Sequence, residues 1–280
     1  MGIYAGADCN YLWILVLSQM IAQSLKIARP ECDLLIGIAS ATNQICEQID
    51  DPYKFLHPNE ILYYQSLISV KARSDYFSGR YAAKQAIAAY TGYTNYKQVF
   101  IYPGVFGQPV VNLKSHLNLQ VSISHTDALA LALVFPESHP MGVDVEMIIK
   151  DVNFLSEDIA TSIERRSVHV LNRDLLKGST LLWTIKEALS KVLRTGLMTP
   201  FLLYEMCNVK RFGDIVTTDF THFSQYRSLS WIAGNHACSI VLPKNSSVEM
   251  DTIIDIQLRL DKQLNFQEGH VTVPIAALCC

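Results

Sequence analysis

The sequence predicts an α+β protein made of two similar halves. Two observations carry this. Short strand-patterned segments and longer helical ones recur twice in the same broad order, over residues 34–135 and again over 141–242. Half of the 280 residues are hydrophobic, enough to bury a substantial core. The divisions expected are an N-terminal extension over 1–32, a first half over 33–138, a second half over 139–245 and a C-terminal extension over 246–280.

Each element has its own signal. Near the start, the apolar run Tyr11–Leu17 leads into Ile21 and Leu25 at helical spacing. Leu34–Ala39 is short, apolar and bounded by polar residues, as a buried strand requires. A long helical region opens at His57-Pro58-Asn59-Glu60, with proline near the first turn and Ile61, Leu62, Leu67 and Ile68 as its apolar face. It runs through residues 73–87 until Thr91-Gly92 stops it. Strands are expected at 98–102, 109–112, 119–124 and 129–135, with turn residues Pro103-Gly104 and Gly107 among them. Residues 141–146 resume extended patterning, 156–170 and 179–194 read as helices, and 229–234, 237–242 and 270–275 as strands.

Composition excludes several classes. A net charge of −3 and a pI near 6.2 lack the basic excess of a general nucleic-acid binder. The seven cysteines show neither C-x-x-C nor zinc spacing, and their odd number does not suggest a complete disulfide framework, so reduced thiols are expected. Cys279-Cys280 resembles a doubly lipidated tail only superficially, because no basic tract precedes it. The apolar stretch from Leu12 towards Ala22 falls short of the roughly 20 residues that span a bilayer. No basic leader precedes it and no A-x-A site follows. A cytoplasmic protein with no membrane and no nucleic-acid partner is the expectation.

The chemistry concentrates in two segments. In Gly142-Val143-Asp144-Val145-Glu146, residues i and i+2 of a strand share a face, so both carboxylates point one way and both valines point into the core. Neighbouring carboxylates repel unless a cation or proton sits between them, and a hard divalent ion is the natural resolution. Residues 181–193 form a helix whose Leu182, Ile185, Leu189 and Val192 make an apolar stripe. Beside it Trp183, Glu187 and Lys191 fall at i, i+4 and i+8, one face carrying an aromatic ring, a carboxylate and an amine. Alone, each segment also reads blandly, as acids facing water and a surface ion pair.

Together these segments resemble the paired signature of the 4′-phosphopantetheinyl transferases. Gly142–Glu146 is similar to the G-V-D-V-E motif of that family, and Trp183-Thr184-Ile185-Lys186-Glu187-Ala188-Leu189-Ser190-Lys191 to its W-T-x-K-E-A-x-x-K motif. Three further segments agree in order: Arg73–Lys84 with R-x-x-x-x-x-G-R-x-A-A-K, Gly107-Gln108-Pro109 with a G-x-P turn, and Ser122–Thr126 with S-x-S-H-[ST]. The resemblance covers roughly residues 55–242, and the length looks like the larger, Sfp-type branch, in which one chain holds two similar halves in pseudo-two-fold arrangement with the site between them.

The resemblance implies a holo-acyl-carrier-protein synthase that moves the phosphopantetheine arm of coenzyme A onto a serine of an apo acyl or peptidyl carrier protein and releases adenosine 3′,5′-bisphosphate. It implies that Asp144, Glu146 and Glu187 hold Mg²⁺, with Mn²⁺ as the alternative, and that Glu187 and Lys191 are catalytic. Lys191 would reach the pyrophosphate, and His125, Arg73 and Arg80 the 3′-phosphate end. Gln108 stands where some relatives place lysine, so one phosphate contact differs. The general base is either Glu187 or a metal-bound water. A self-sufficient monomer is expected. A catalytically silent carrier-binding scaffold of the same fold is the alternative.

Overall fold

The computed structural model describes residues 20–43, 46, 49, 51–114, 118–150 and 153–269. The Tyr11–Leu17 run, the expected 270–275 strand and Cys279-Cys280 lie outside them. The first sheet contains β1 (Ala22–Ile27), β2 (Leu34–Thr42), β3 (Phe100–Pro103), β4 (Pro109–Asn112), β5 (Leu119–His125) and β6 (Leu129–Pro136), in spatial order β1-β2-β6-β5-β4-β3. The second contains β7 (Gly142–Met147), β8 (Met206–Phe212), β9 (Ile215–Phe220), β10 (Tyr226–Ala233) and β11 (His236–Pro243), in order β7-β11-β10-β9-β8. The helices are α1 (Pro58–Ser66), α2 (Val70–Thr91), α3 (Ser162–Leu171), α4 (Leu175–Leu193) and α5 (Met250–Gly269).

Setting β1 aside, the two sheets have one topology. Each half places its first strand at an edge, inserts two helices, and then lays down four antiparallel strands that return to that first strand. The α+β class and the duplication are therefore both observed, in keeping with a pseudo-two-fold arrangement.

Strand alternation builds three apolar layers. Ile36 and Ile38 of β2, Leu129, Leu131 and Leu133 of β6, Val143 and Val145 of β7 and Ile240 of β11 meet in a core between the sheets, closed by Ile253, Ile256, Leu260 and Leu264 of α5. The opposite face of the first sheet packs on α2, and that of the second on α3 and α4.

The halves repeat a buried ion pair in detail. Lys84 of α2 donates to the carbonyls of Phe55 at 2.8 Å and Tyr96 at 3.1 Å, and to Glu60 Oε2. Lys186 of α4 donates to the carbonyls of Ile159 at 2.7 Å and Phe201 at 3.1 Å, and to Glu164 Oε2 at 2.7 Å. Each glutamate is the N3 residue of a capping box, His57 with Glu60 on α1 and Thr161 with Glu164 on α3. Each also accepts the backbone N–H of the following strand region, Ile101 or Met206, both at 2.9 Å. Every polar group of these buried pairs thus has partners, the condition under which a buried charge is tolerated.

Two glycines are matched in the same way. A Cβ on Gly37 would stand 2.1 Å from the Ala86 carbonyl oxygen, and one on Gly142 2.2 Å from that of Ala188. Backbone-to-backbone contact leaves no room for a methyl group, so Gly142→Ala is expected to cost about 1–3 kcal/mol by forcing α4 off its sheet. Thermal melts of the variant beside the wild type check this.

Several expectations need correction. The helical spacing around Ile21 and Leu25 belongs to a strand: β1 pairs antiparallel with β2, and Leu25 and Ile27 alternate into the inter-sheet core. The long helical region is two helices, broken at Leu67, whose ψ of 126° leaves the helical range, before Ser69 caps α2. Its expected apolar face is only partly buried, Leu62 and Ile68 being exposed. The helix expected over 156–170 begins at Ser162, after the Thr161 cap. β8, β9 and α5 lie where no element was expected. Among the described residues, no helix is long and apolar enough to cross a membrane.

Candidate functional site

The acidic strand and the helix meet at the seam between the halves. β5 lies beside β7, with the Val143 N–H donating to Ser122 Oγ at 3.1 Å and Ser124 Oγ donating to Asp144 Oδ1 at 2.8 Å. Since Val143 and Val145 fill the inter-sheet core, Asp144 and Glu146 face α4. α4 is started by Asp174, whose carboxylate accepts the N–H groups of Leu176 and Lys177, and is held to the sheet by Leu182, Ile185 and Leu189. That leaves its Trp183–Glu187–Lys191 face towards the acids.

Asp144 is 2 % exposed. Its Oδ1 accepts from Lys191 Nζ at 2.7 Å, while its Oδ2 is buried with no hydrogen-bond partner. Lys191 also donates to the Ile123 carbonyl at 3.3 Å. Glu146 accepts the Trp183 indole N–H at 3.2 Å, and that ring is stacked between Phe154 and Phe201. The Glu187 carboxylate receives a long bond from Ser190 at 3.4 Å.

The three acids feel one another. Burial, helped by Asp144, raises Glu146 above the usual carboxylate range, with the Trp183 bond opposing. Burial pushes Glu187 up to about 7, Asp144 and Glu146 adding and Lys191 opposing. Because the folded value lies above the ordinary 4.5, folding takes up a proton between these limits. The stabilisation this gives is complete below about 4.5 and is lost as pH rises through about 7. Thermal melts in chelator across that range are expected to show a decline that Glu187→Gln flattens.

Mutual repulsion and the orphaned Asp144 Oδ2 both fit a hard cation with oxygen ligands. Among the described residues, however, no three His, Cys, Asp or Glu side chains are gathered to hold a metal ion, and the cation on Asp144 is the Lys191 ammonium.

The other expected residues divide into two groups. Gln108, Glu187 and Lys191 line one cavity of about 260 Å³, with Phe106, Ser122 and Arg194. Gln108 folds back on its own turn, its Oε1 accepting the Phe106 N–H at 3.0 Å. His125, Arg80 and Arg73 do not line it. His125 ends β5 beside Gly79 of α2. Partial desolvation holds the His125 imidazole below its ordinary value, with Asp75 opposing and Lys191, Lys71 and Arg80 adding. Arg80 packs on the Tyr76 ring. Arg73 instead bonds the Leu67 carbonyl at 2.8 Å and so ties down the α1–α2 joint.

Sequence reasoning assigned no role to Ser122 and Ser124, whose S-x-S spacing puts both hydroxyls on the β7 side of β5. It also passed over Glu60, Lys84, Glu164 and Lys186.

Residues 140–241 match the family model of the 4′-phosphopantetheinyl transferase superfamily. That match spans 102 of the 280 residues. The match takes in β7, α4 and the strands that follow, hence all three acids and Lys191. No curated protein matches the chain. Among solved structures, the chain is similar to a holo-(acyl-carrier-protein) synthase from Bacillus anthracis in complex with CoA (3′,5′-ADP), at 22 % identity over 39 % of this chain and 95 % of that one, with a TM-score of 0.33. It is similar to a holo-ACP synthase from Plasmodium yoelii at 22 % identity over 35 % and 90 %, with a TM-score of 0.32. A third, from Neisseria meningitidis, is 18 % identical over 35 % and 94 %, with a TM-score of 0.31.

Proposed function

We propose that the chain transfers the 4′-phosphopantetheine of coenzyme A to a serine of an apo acyl or peptidyl carrier protein, as a Mg²⁺-dependent holo-carrier-protein synthase. The observation that carries this is Asp144, buried at the seam between the halves with one oxygen on Lys191 and Ser124 and the other unbonded, facing together with Glu146 the helix that carries Glu187. Holding carboxylates together out of water costs stability, which a site for a cationic ligand explains. The two complete halves in one chain support the Sfp-type branch and a self-sufficient monomer.

In this reading the carrier serine Oγ attacks the phosphorus that bears the pantetheine arm. The bond to the departing adenosine 3′,5′-bisphosphate breaks as the new P–O bond forms, and the serine proton leaves to a base. Asp144, Glu146 and Glu187 would hold Mg²⁺, which offsets pyrophosphate charge when bound. Lys191, which lines the cavity, supplies an ammonium to the pyrophosphate oxygens. Glu187, which lines the cavity, is the residue of this chain placed to take the proton. Ser122 and Ser124 fix β7 against β5 and so keep the acid face in place.

Incubation with coenzyme A, Mg²⁺ and a panel of apo carriers tests the proposal. At least one carrier should gain the mass of a single phosphopantetheine. Carrier binding without mass gain across the panel would instead support a silent scaffold.

A further inference from the structure

A second cavity, of about 200 Å³, lies on the second sheet and shares no lining residue with the first. Its floor is apolar. Leu229 and Leu242 belong to the inter-sheet core, and Val248 and Met250, where α5 begins, pack against that core. The walls carry Lys210, Thr217, Asp219, Arg227 and Ser246.

The fold withholds a counter-ion from Arg227. Arg227 of β10 and Asp219 of β9 stand directly opposite in register, where unlike charges ordinarily pair. Asp219 Oδ2 instead accepts from Lys244 Nζ at 2.8 Å and Asn208 Nδ2 at 3.2 Å, and Arg227 acts on it by charge alone. Asn208 sits in the β8 register shift between Cys207 and Lys210, with a φ of 51°, the kind of irregularity that re-aims a side chain.

Among the described residues Arg227 and Lys210 make no ion pair, and neither they nor Thr217 and Ser246 make a side-chain hydrogen bond. On the opposite face of the same sheet the hydroxyls are matched, Thr218 with Ser228 at 2.8 Å and Ser230 with Ser239 at 2.9 Å. Ser246 is only 4 % exposed, and a buried hydroxyl is ordinarily bonded. Two cations and two hydroxyls thus line a space with an apolar floor, and the carboxylate beside them is already matched by Lys244.

We propose that this cavity binds a small organic anion, an oxyanion head on a short apolar body. Arg227 and Lys210 take the head, with the Thr217 and Ser246 hydroxyls as further donors, and Leu229, Leu242 and Met250 take the body. A guanidinium suits the head because its paired N–H groups match two oxygens of a carboxylate or phosphate. A mostly apolar pocket with a few placed polar groups is the ordinary build of a small-molecule site. The ligand would join β8, β9 and β10 to the segment that leads into α5, and so stabilise the fold. This inference is independent of the transferase reading.

Calorimetric titration of the full chain with phenyl phosphate, benzoate, inorganic phosphate and benzyl alcohol tests it. Phenyl phosphate or benzoate should bind, and the tighter of the two identifies the head as phosphate or carboxylate. Inorganic phosphate, without the apolar body, and benzyl alcohol, without the charge, should each be weaker by at least about tenfold. Arg227→Gln and Lys210→Gln should each weaken the tighter ligand about tenfold. Lys97→Gln, the same charge change on an exposed residue outside the cavity, should move it by less than about twofold. The tighter ligand should also raise the melting temperature of the wild type more than that of Lys210→Gln. Lys210 is exposed, so its variant keeps the test decisive should Arg227→Gln not fold. Failure of both phenyl phosphate and benzoate to bind at millimolar concentration overturns the inference. So does binding that Lys210→Gln leaves unchanged, or that Lys97→Gln weakens equally.

Discussion

Asp144→Ala and Glu187→Gln are each expected to lower phosphopantetheine transfer by about a thousandfold, roughly 4 kcal/mol of transition-state stabilisation. Asp144 is the acid on which the site converges, since Lys191, Ser124 and β7 all meet at it. Its loss leaves the Lys191 ammonium without its counter-ion and the cation site without its most buried oxygen. Glu187→Gln removes the carboxylate that titrates at about 7 and keeps the side-chain shape. The two variants should then part in stability. Asp144→Ala strands a half-buried ammonium and lowers the melting temperature. Glu187→Gln relieves a burial cost that is greatest above neutral pH and raises it. Mass-spectrometric assay of holo-carrier formation beside melts at pH 8 in chelator reads both effects. Activity above about a tenth of wild type in either variant would remove that residue from the chemistry.

The legibility of this site follows from period. Asp144 and Glu146 could be placed on one face because a strand alternates strictly, and Trp183, Glu187 and Lys191 because four-residue steps on a helix keep to one side. What these rules could not give was Lys191 paired across to Asp144, a contact between segments 47 positions apart. Gln108 shows the same limit. Its turn was legible from glycine and proline, but the return of the side chain onto the Phe106 N–H depends on local geometry that no pattern encodes.

Elements were missed for comparable reasons. β8 has one buried residue followed by mostly exposed ones, and it carries a register shift beside Asn208, whose φ is 51°, so it shows no alternation to read. β1 was misread because Ile21 and Leu25 sit four apart, a spacing that strands and helices both allow, and pairing with β2 decided the matter. α5 did have a signal, Ile253, Ile256, Leu260 and Leu264 at steps of three and four, and these residues close the inter-sheet core. The buried lysines were the least legible part, since an isolated lysine in a helix is ordinarily a solvated one.

Those lysines give the second large effect. Lys186→Met is expected to cost about 3–5 kcal/mol, because it leaves the Glu164 carboxylate buried beside α4 with only backbone N–H donors. It also frees the carbonyls of Ile159 and Phe201, which the ammonium ties to the helix. Lys84→Met removes the matching group from the first half, yet there Arg80 Nε remains 3.7 Å from Glu60 Oε1 and can shift to neutralise the carboxylate. The first-half variant should therefore be the less damaging by about 1–2 kcal/mol, although the two networks are otherwise alike bond for bond. Adding Glu164→Gln to Lys186→Met should recover part of the loss, since the uncompensated charge goes with it. Urea unfolding of the three variants measures the differences directly. Equal costs for Lys84→Met and Lys186→Met would show that Arg80 does not act as a reserve counter-ion, and that its charge is committed elsewhere.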